Sequence, residues 1–122
     1  MKEEAKVLKP VKLTSKDGKV YTLDFDLQSI KDAEQEIGFT LYSMSERKVV
    51  STTSNIFYAS FFKNHKGEVT QEDTDRIYFE ELPSDVKDKV GTRLIELYAS
   101  VYNALFGDEK DEEKNALWGV EL

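Results

Sequence analysis

Apolar residues recur at helical spacing between residues 83 and 106. One stripe repeats every three or four residues and consists of Val86, Val90, Leu94, Leu97, Val101 and Leu105. A second stripe lies beside it and consists of Ile95, Tyr98, Tyr102 and Phe106. At about 100° per residue, the two stripes cover roughly 200° of the helix surface, whereas a surface helix of a globular domain needs about 100°. The pattern predicts a long helix whose surplus apolar surface contacts either other helices or another chain.

An alternating pattern near the N-terminus predicts a β-hairpin. Residues 10–14 and 20–25 alternate apolar and polar side chains, as half-buried strands do. Asp17 and Gly18 lie between these segments and supply a residue that tolerates positive φ. The buried face of the hairpin would consist of Leu13, Tyr21, Leu23 and Phe25. Because a lone hairpin is marginally stable in water, another element must cover this face.

Capping residues mark the start of two shorter helices. Asp26 is a good N-cap for a helix over residues 27–37, and Gly38 can end that helix in a left-handed conformation. Thr70, followed three residues later by Asp73, resembles a capping box in which aspartate replaces the usual glutamate. These signals predict two helices that begin at defined positions.

A further helix is predicted over residues 49–65. Its second half, Ile56–Phe62, is apolar almost all the way round, which is typical of a helix buried in its own fold or in an assembly. The elements together predict a mainly helical α+β fold, with an N-terminal β-hairpin followed by a bundle of about four helices. We expect a single domain over residues 10–107, a flexible N-terminal arm over 1–9 and a mobile, charged C-terminal tail over 108–122.

Composition narrows the classes of function. The 122 residues carry a formal net charge of −7, which weighs against phosphate-backbone binding because such binding needs a basic stripe. The absence of cysteine excludes disulfides, thiolate metal sites and cysteine nucleophiles. Residues 1–9 are charged and lack the apolar run of a signal peptide, and no stretch approaches a membrane span of about 20 residues. We therefore expect a soluble cytoplasmic protein that binds neither nucleic acid nor membrane.

Few residues offer catalytic or ligand chemistry. His65 is the single histidine and lies near a predicted helix C-terminus, where a cation interacts favourably with the helix dipole. Asp24 and Asp26 could ligate a hard cation, but capping explains Asp26 better. The hydroxyl residues 51–54 have no neighbouring base and are better explained as a solvated helix start. We therefore expect no enzymatic activity, no catalytic residue, no metal site and no cofactor.

Aromatic residues are the remaining signal of function. Two predicted helices carry seven large rings, namely Phe57, Tyr58, Phe61, Phe62, Tyr98, Tyr102 and Phe106. An ordinary core is one interpretation of these rings. The other is an interface, because tyrosine combines an apolar body with a polar tip and is enriched at interfaces. The surplus apolar area favours a homo-oligomer or a groove that binds a helix.

Several features follow one another in order between residues 10 and 106. The hairpin ends in Tyr21–Asp26 and is followed by the predicted helix Ile30–Gly38. The aromatic run Ile56–Phe62 continues into Lys63–His65, and a helix that begins after Leu82-Pro83 contains Leu94–Tyr98. In this order of elements, the chain resembles the small phage tail assembly chaperones of siphophage- and myophage-like prophages.

The resemblance implies a fold and a role. The fold is a small hairpin followed by a helical bundle, and the role is to coat the helical, aggregation-prone tape-measure protein in the host bacterial cytoplasm until the tail tube polymerises around it. Such a protein needs apolar surface and enough net charge to keep the complex soluble. Carried over to this chain, the resemblance implies partner-binding residues Phe57, Phe61, Ile95, Tyr98, Tyr102 and Phe106.

Two other functions remain open at this point. A structural virion protein, such as a tail-tube or head–tail joining component, would be found in purified particles, where an assembly chaperone should be missing. An acidic regulatory protein that binds a host factor would fit the net charge of −7. The sequence pattern also leaves open which stripe of the long helix lies in the core and whether the chain forms a homo-oligomer.

Overall fold

The computed structural model describes residues 8–37 and 49–106. The predicted helix end at Gly38, the charged tail over 108–122 and most of the N-terminal arm lie outside these residues. Leu8 and Lys9, the last two residues of the predicted arm, contact the domain: Leu8 packs against the core, and the Lys9 carbonyl accepts a hydrogen bond from Arg93 Nη1 at 3.1 Å.

The predicted hairpin is present, with β1 at Val11–Thr14 and β2 at Val20–Leu23. The strands are antiparallel, and their register pairs Val11 with Leu23 and Lys12 with Thr22. Gly18 adopts a φ of 90° in the turn, and its N–H donates to the Ser15 carbonyl at 2.9 Å. A positive φ of this kind is accessible to glycine at little cost, so the Asp-Gly signal correctly located the turn.

The helices confirm the mainly helical α+β class. They are α1 at Leu27–Ile37, α2 at Val49–Ala59, α3 at Phe62–His65, α4 at Gln71–Asp75 and α5 at Ser84–Phe106. Between α4 and α5, the residues Arg76–Glu81 form a π-helical segment. The structure differs from the sequence prediction in two places. The helix expected over 49–65 is divided, and the helix after Thr70 continues as the π-helical segment.

Local hydrogen bonds explain where α1 and α4 begin. Asp26 Oδ1 accepts from the Ser29 N–H at 2.8 Å, and the Asp26 N–H donates to Ser29 Oγ at 2.9 Å. The same reciprocal arrangement joins Thr70 and Asp73, at 3.1 and 3.0 Å. Both capping predictions are confirmed, because each pair satisfies N–H groups that have no partner within their helix.

Ser60 divides the predicted helix into α2 and α3. Its hydroxyl donates to the Phe57 carbonyl at 2.6 Å, and the Phe61 N–H donates to the Tyr58 carbonyl at 3.1 Å, three residues back instead of four. This tightened turn leaves the Ser60 carbonyl free to accept the Asp24 N–H at 3.0 Å. Serine commonly makes such local bonds and bends helices, and here the bend turns α3 toward the hairpin.

The end of α3 closes the outer edge of β2. The Thr22 N–H donates to His65 Nε2 at 2.9 Å, and the Thr22 carbonyl accepts from Asn64 Nδ2 at 3.1 Å. Lys63 Nζ lies 2.9 Å from Asp24 Oδ2 in an ion pair just beyond the strand. Side chains thus supply the hydrogen bonds that a neighbouring strand would otherwise make.

Aromatic rings connect the elements around one core. The Phe57 ring lies 5.2 Å from that of Phe61 and 5.0 Å from that of Tyr78, which joins α2 to the π-helical segment. The Tyr21 ring contacts Phe61 at 5.3 Å and so attaches the hairpin. The core also contains aliphatic residues, among them Leu23, Ile30, Ala33, Ile56, Val90, Leu94 and Leu97. The hairpin face that the sequence left uncovered is therefore covered by Phe61, α3 and α5.

Candidate interaction surface

Three of the six predicted partner-binding residues are buried in the core. Phe57 is 1% exposed, Phe61 is fully buried and Tyr98 is 4% exposed. Phe57 and Phe61 pack between the hairpin and the π-helical segment, and the Tyr98 ring contacts the Phe25 ring at 5.7 Å. Because a folded chain cannot present these side chains to a partner, they are removed from the candidate surface and assigned to the core.

Two of the remaining predicted residues, Ile95 and Tyr102, lie on the outer side of α5. Ile95 is 52% exposed, and Tyr102 is partly exposed, with its ring 6.2 Å from the Tyr98 ring. The side chain of Phe106, at the end of α5, lies outside the part of the chain that the structure describes. Of the two sequence stripes, the one that begins at Val86 is mainly internal, and the other is divided between core and surface.

Two further residues extend this surface, and the sequence prediction did not include them. Ala99 is exposed one turn after Ile95, and Leu105 is 41% exposed although it belongs to the stripe that packs inward elsewhere. We call the exposed set the outer strip of α5, consisting of Ile95, Ala99, Tyr102 and Leu105. Their spacings of four, three and three residues place them along one side of a helix. Ala99 is easily overlooked in the sequence, since a small residue adds little to an apolar stripe. Its spacing from Ile95 and Tyr102 is the feature that could have predicted its position.

The π-helical segment holds the first half of α5 in place. The Tyr78 hydroxyl donates to the Lys87 carbonyl at 3.0 Å, and Lys87 Nζ donates to the Phe79 carbonyl at 3.2 Å. Gly91 lies at this contact, where an added Cβ would meet the Tyr78 hydroxyl at 3.1 Å. The close approach explains a glycine in the interior of a long helix, where it otherwise lowers helix stability.

Ionisable groups near these contacts have shifted pKa values. Burial raises the pKa of Tyr78, and the negative charge of Asp88 raises it further. Burial also raises the pKa of Tyr58, whose hydroxyl donates to Glu36 Oε2 at 3.0 Å. At the edge of the hairpin, a hydrogen bond from His65 lowers the pKa of Glu68, and Lys19 lowers it further. Each shifted group takes part in a side-chain hydrogen bond within the fold: Tyr78 with Lys87, Tyr58 with Glu36 and Glu68 with His65.

Shallow hollows occur on the surface of the described residues. One of them is lined by Gln71, Glu72, Asp75, Arg76 and Glu80, and another by Asp88, Lys89, Thr92, Arg93 and Glu96. Across residues 8–37 and 49–106, no three His, Cys, Asp or Glu side chains come together in a group that could hold a metal ion. No helix within these ranges is long and apolar enough to cross a membrane.

His65 has a role that sequence reasoning did not foresee. It is the last residue of α3, as the prediction of a helix C-terminus required, but its Nε2 accepts a strand N–H while Nδ1 lies 3.2 Å from Glu68 Oε1. Because Nε2 accepts, Nδ1 is the ring nitrogen that can donate to the Glu68 carboxylate. The single histidine is thus a structural residue of the hairpin edge.

Comparison with known proteins identifies a family for this chain. No curated protein and no solved structure matches it. The sequence profile of DUF5055, described as a domain of unknown function, matches residues 4–122 and so covers nearly the whole chain, including the hairpin, all the described helices and the outer strip of α5. The chain therefore belongs to the DUF5055 family.

Proposed function

We propose that this protein is a phage or prophage tail assembly chaperone that binds the helical tape-measure protein and keeps it soluble during tail assembly, without catalysis. The observation that carries the proposal is Ile95, a large aliphatic residue that is 52% exposed in the middle of a 23-residue helix. Its neighbours on the outer strip extend the apolar surface toward the end of α5. The order of elements that resembles tail assembly chaperones supports the identity of the partner.

The outer strip has the form that helix recognition requires. Apolar residues at helical spacing on a solvent-facing side can pack against the apolar side of a second helix, with the anchors one or two turns apart. Leu105 and Tyr102 supply an aliphatic and an amphipathic anchor at the C-terminal end, and tyrosine is enriched in the centres of interfaces. The net charge of −7 favours solubility of a complex in which these apolar residues are covered.

Co-expression with the tape-measure protein of the same phage or prophage tests the proposal. We expect a soluble complex only when both chains are present, with several copies of this protein per partner by size-exclusion light scattering. Ile95→Asp should weaken the complex at least about tenfold, because it places a charge on the most exposed large apolar side chain of the outer strip. A tape-measure protein that stays insoluble with the unaltered chain would contradict the proposal.

Val50→Asp is the matched control for this experiment. Val50 is 68% exposed at the start of α2, and the substitution introduces the same charge at another exposed aliphatic residue. We expect Val50→Asp to leave the complex intact. Equal loss with both variants would indicate a general effect of charge and not a contact at the outer strip. Purified particles should lack this chain, since its presence there would favour a structural virion protein.

A further inference from the structure

The two edges of the hairpin differ in whether their backbone groups have partners. At the β2 edge, the Thr22 N–H and carbonyl are bonded to His65 and Asn64, so both groups point away from β1. In an antiparallel ladder, the opposite residue of such a pair directs its own N–H and carbonyl to the other side. Lys12 is opposite Thr22, and Thr14 follows two residues later in the same strand. Both residues therefore direct their backbone groups out of the β1 edge.

These outward groups of β1 are unoccupied in the described residues. No hydrogen bond joins the Lys12 or Thr14 backbone to a group outside the hairpin, and both residues are exposed. A row of free N–H and carbonyl groups at a sheet edge is a template for an additional strand. We propose that the β1 edge binds an extended, acidic segment of a partner protein, which adds a third strand to the hairpin. This inference is independent of the proposed tape-measure role.

Charge at the hairpin indicates what the added strand carries. Lys9, Lys12 and Lys16 form no ion pair with any described residue, whereas Lys19 is paired with Glu68 at 3.4 Å. One unpaired lysine therefore lies in β1, with one on either side of the strand along the chain, in a protein whose net charge is −7. Opposite charges across neighbouring strands stabilise a sheet, so acidic residues on the added strand should face Lys12. Alternate residues would extend the half-buried side formed by Val11 and Leu13 and should be apolar.

The same lysines disfavour pairing between two copies of this chain. Two β1 strands joined edge to edge would bring Lys12 and Lys16 of both copies into one short sheet, and like charges in neighbouring strands are destabilising. An acidic strand from another protein meets no such repulsion. The charge pattern therefore selects a partner protein over self-association at this edge.

A peptide of alternating glutamate and valine, blocked at both ends, tests the proposal with the full-length protein. We expect the peptide to bind in an NMR titration and to slow hydrogen exchange at the Lys12 and Thr14 amides at least about tenfold, because these amides enter the new ladder. Two control peptides are the alternating lysine and valine peptide and a glutamate and valine peptide whose docking-edge amides are N-methylated. Neither should bind within a factor of about ten of the test peptide.

Two variants of Lys12 separate the backbone contribution from the charge. Lys12→Pro removes the outward N–H but no hydrogen bond to β2, and proline is tolerated in edge strands. It should weaken peptide binding about tenfold or more, while Lys12→Thr, which keeps the N–H and loses the charge, should weaken it about threefold. If Lys12→Pro fails to fold, the N-methylated peptide still tests the backbone contribution.

Four results would overturn the proposal. Equal binding of the lysine peptide would show that the β1 edge does not select acidic strands. Absence of binding at millimolar peptide would show that the edge does not accept an added strand. Protection of the Lys12 and Thr14 amides in the free protein would show that the chain itself covers the edge. Protection that increases with protein concentration would identify a second copy as the occupant.

Discussion

The inner and outer sides of α5 differ sharply between two consecutive residues. Leu94 is 1% exposed and lies in the core, whereas Ile95 is 52% exposed. The two side chains have the same number of carbon atoms and nearly the same hydrophobicity, so their chemistry does not explain the difference. Their positions do, because one residue rotates the side chain by about 100° around the helix. On its buried side α5 packs against α2 and β1, and none of the described elements buries Ile95 to the same degree as Leu94.

Tyr98 and Tyr102 show a second contrast, which runs along the helix and not around it, because residues four apart lie on the same side. Tyr98 is 4% exposed and contacts Phe25, while Tyr102 is only partly buried. The wide apolar arc of α5 thus serves two purposes. About half of it completes the core, and the rest forms the outer strip, which costs solubility unless another surface covers it.

Truncating one residue of each side should produce the largest contrast in stability. We expect Leu94→Ala to lower the free energy of unfolding by about 3 kcal/mol, because it leaves a cavity in a filled core. Ile95→Ala should change it by less than about 0.5 kcal/mol, as exposed substitutions generally do. Urea unfolding followed by circular dichroism measures both. Similar losses for the two variants would show that Ile95 is buried in solution and would remove the basis for the outer strip.

The tyrosine pair should show the same order with a smaller difference. Tyr98→Ala should cost about 3 kcal/mol of unfolding free energy, and Tyr102→Ala should cost about 1 kcal/mol because its ring is partly exposed. The same urea unfolding experiment applies. If Tyr102→Ala is the more damaging change, the C-terminal end of α5 is covered in solution, and the candidate surface reduces to the region around Ile95.

Substitution of Gly91 tests how closely the π-helical segment packs against α5. It precedes Leu94 by three residues and Ile95 by four, so it lies on the side of α5 that both residues adjoin. In the unaltered chain, Gly91→Ala should raise the free energy of unfolding by about 1 kcal/mol through its higher helix propensity. It should lower the same free energy by a similar amount, because the new methyl group displaces the Tyr78 hydroxyl from the Lys87 carbonyl. The net change should therefore be close to zero.

A double-mutant cycle with Tyr78→Phe separates these two contributions. In the Phe background no hydroxyl is displaced, so Gly91→Ala should be stabilising by up to about 1 kcal/mol. The expected coupling between the two sites is therefore about 1 kcal/mol by thermal or urea unfolding. Additive effects would show that the π-helical segment moves away from α5 without loss.

Local features of the fold were predictable from the sequence. The turn at Gly18 and the caps at Asp26 and Thr70 depend on residues that are close together in the chain, and all three are confirmed. The break at Ser60 and the π-helical segment were not predicted. Both involve contacts between elements: the Ser60 carbonyl accepts from Asp24 beside the hairpin, and the Tyr78 hydroxyl donates to Lys87 in α5.

The candidate surface was predictable only as a choice between two stripes. Periodicity identified α5 and the width of its apolar arc, but Phe57, Phe61 and Tyr98 were placed on the interface although they lie in the core. Their burial follows from the position of the hairpin against α2 and α5, which no pattern within a single helix contains. Aromatic rings at helical spacing therefore indicate apolar surface that must be buried. Tertiary packing determines whether it is buried within the fold or left for a partner.

Alkaline pH should produce the smallest effect. It distinguishes Tyr78, which contacts α5, from Ile95 on the outer side of the helix. Burial and the charge of Asp88 raise the pKa of Tyr78, so the folded chain holds this phenolic proton more tightly than the unfolded chain does. The stabilisation is present in full below the ordinary tyrosine pKa and is lost as pH rises through the raised pKa. The free energy of unfolding should therefore fall above about pH 10. Tyr78→Phe should make this decline shallower, leaving the contribution of Tyr58, while Ile95→Ala should leave the decline unchanged. An identical slope for Tyr78→Phe would show that Tyr78 is not buried against α5, which would also remove the contact that positions the helix and its outer strip.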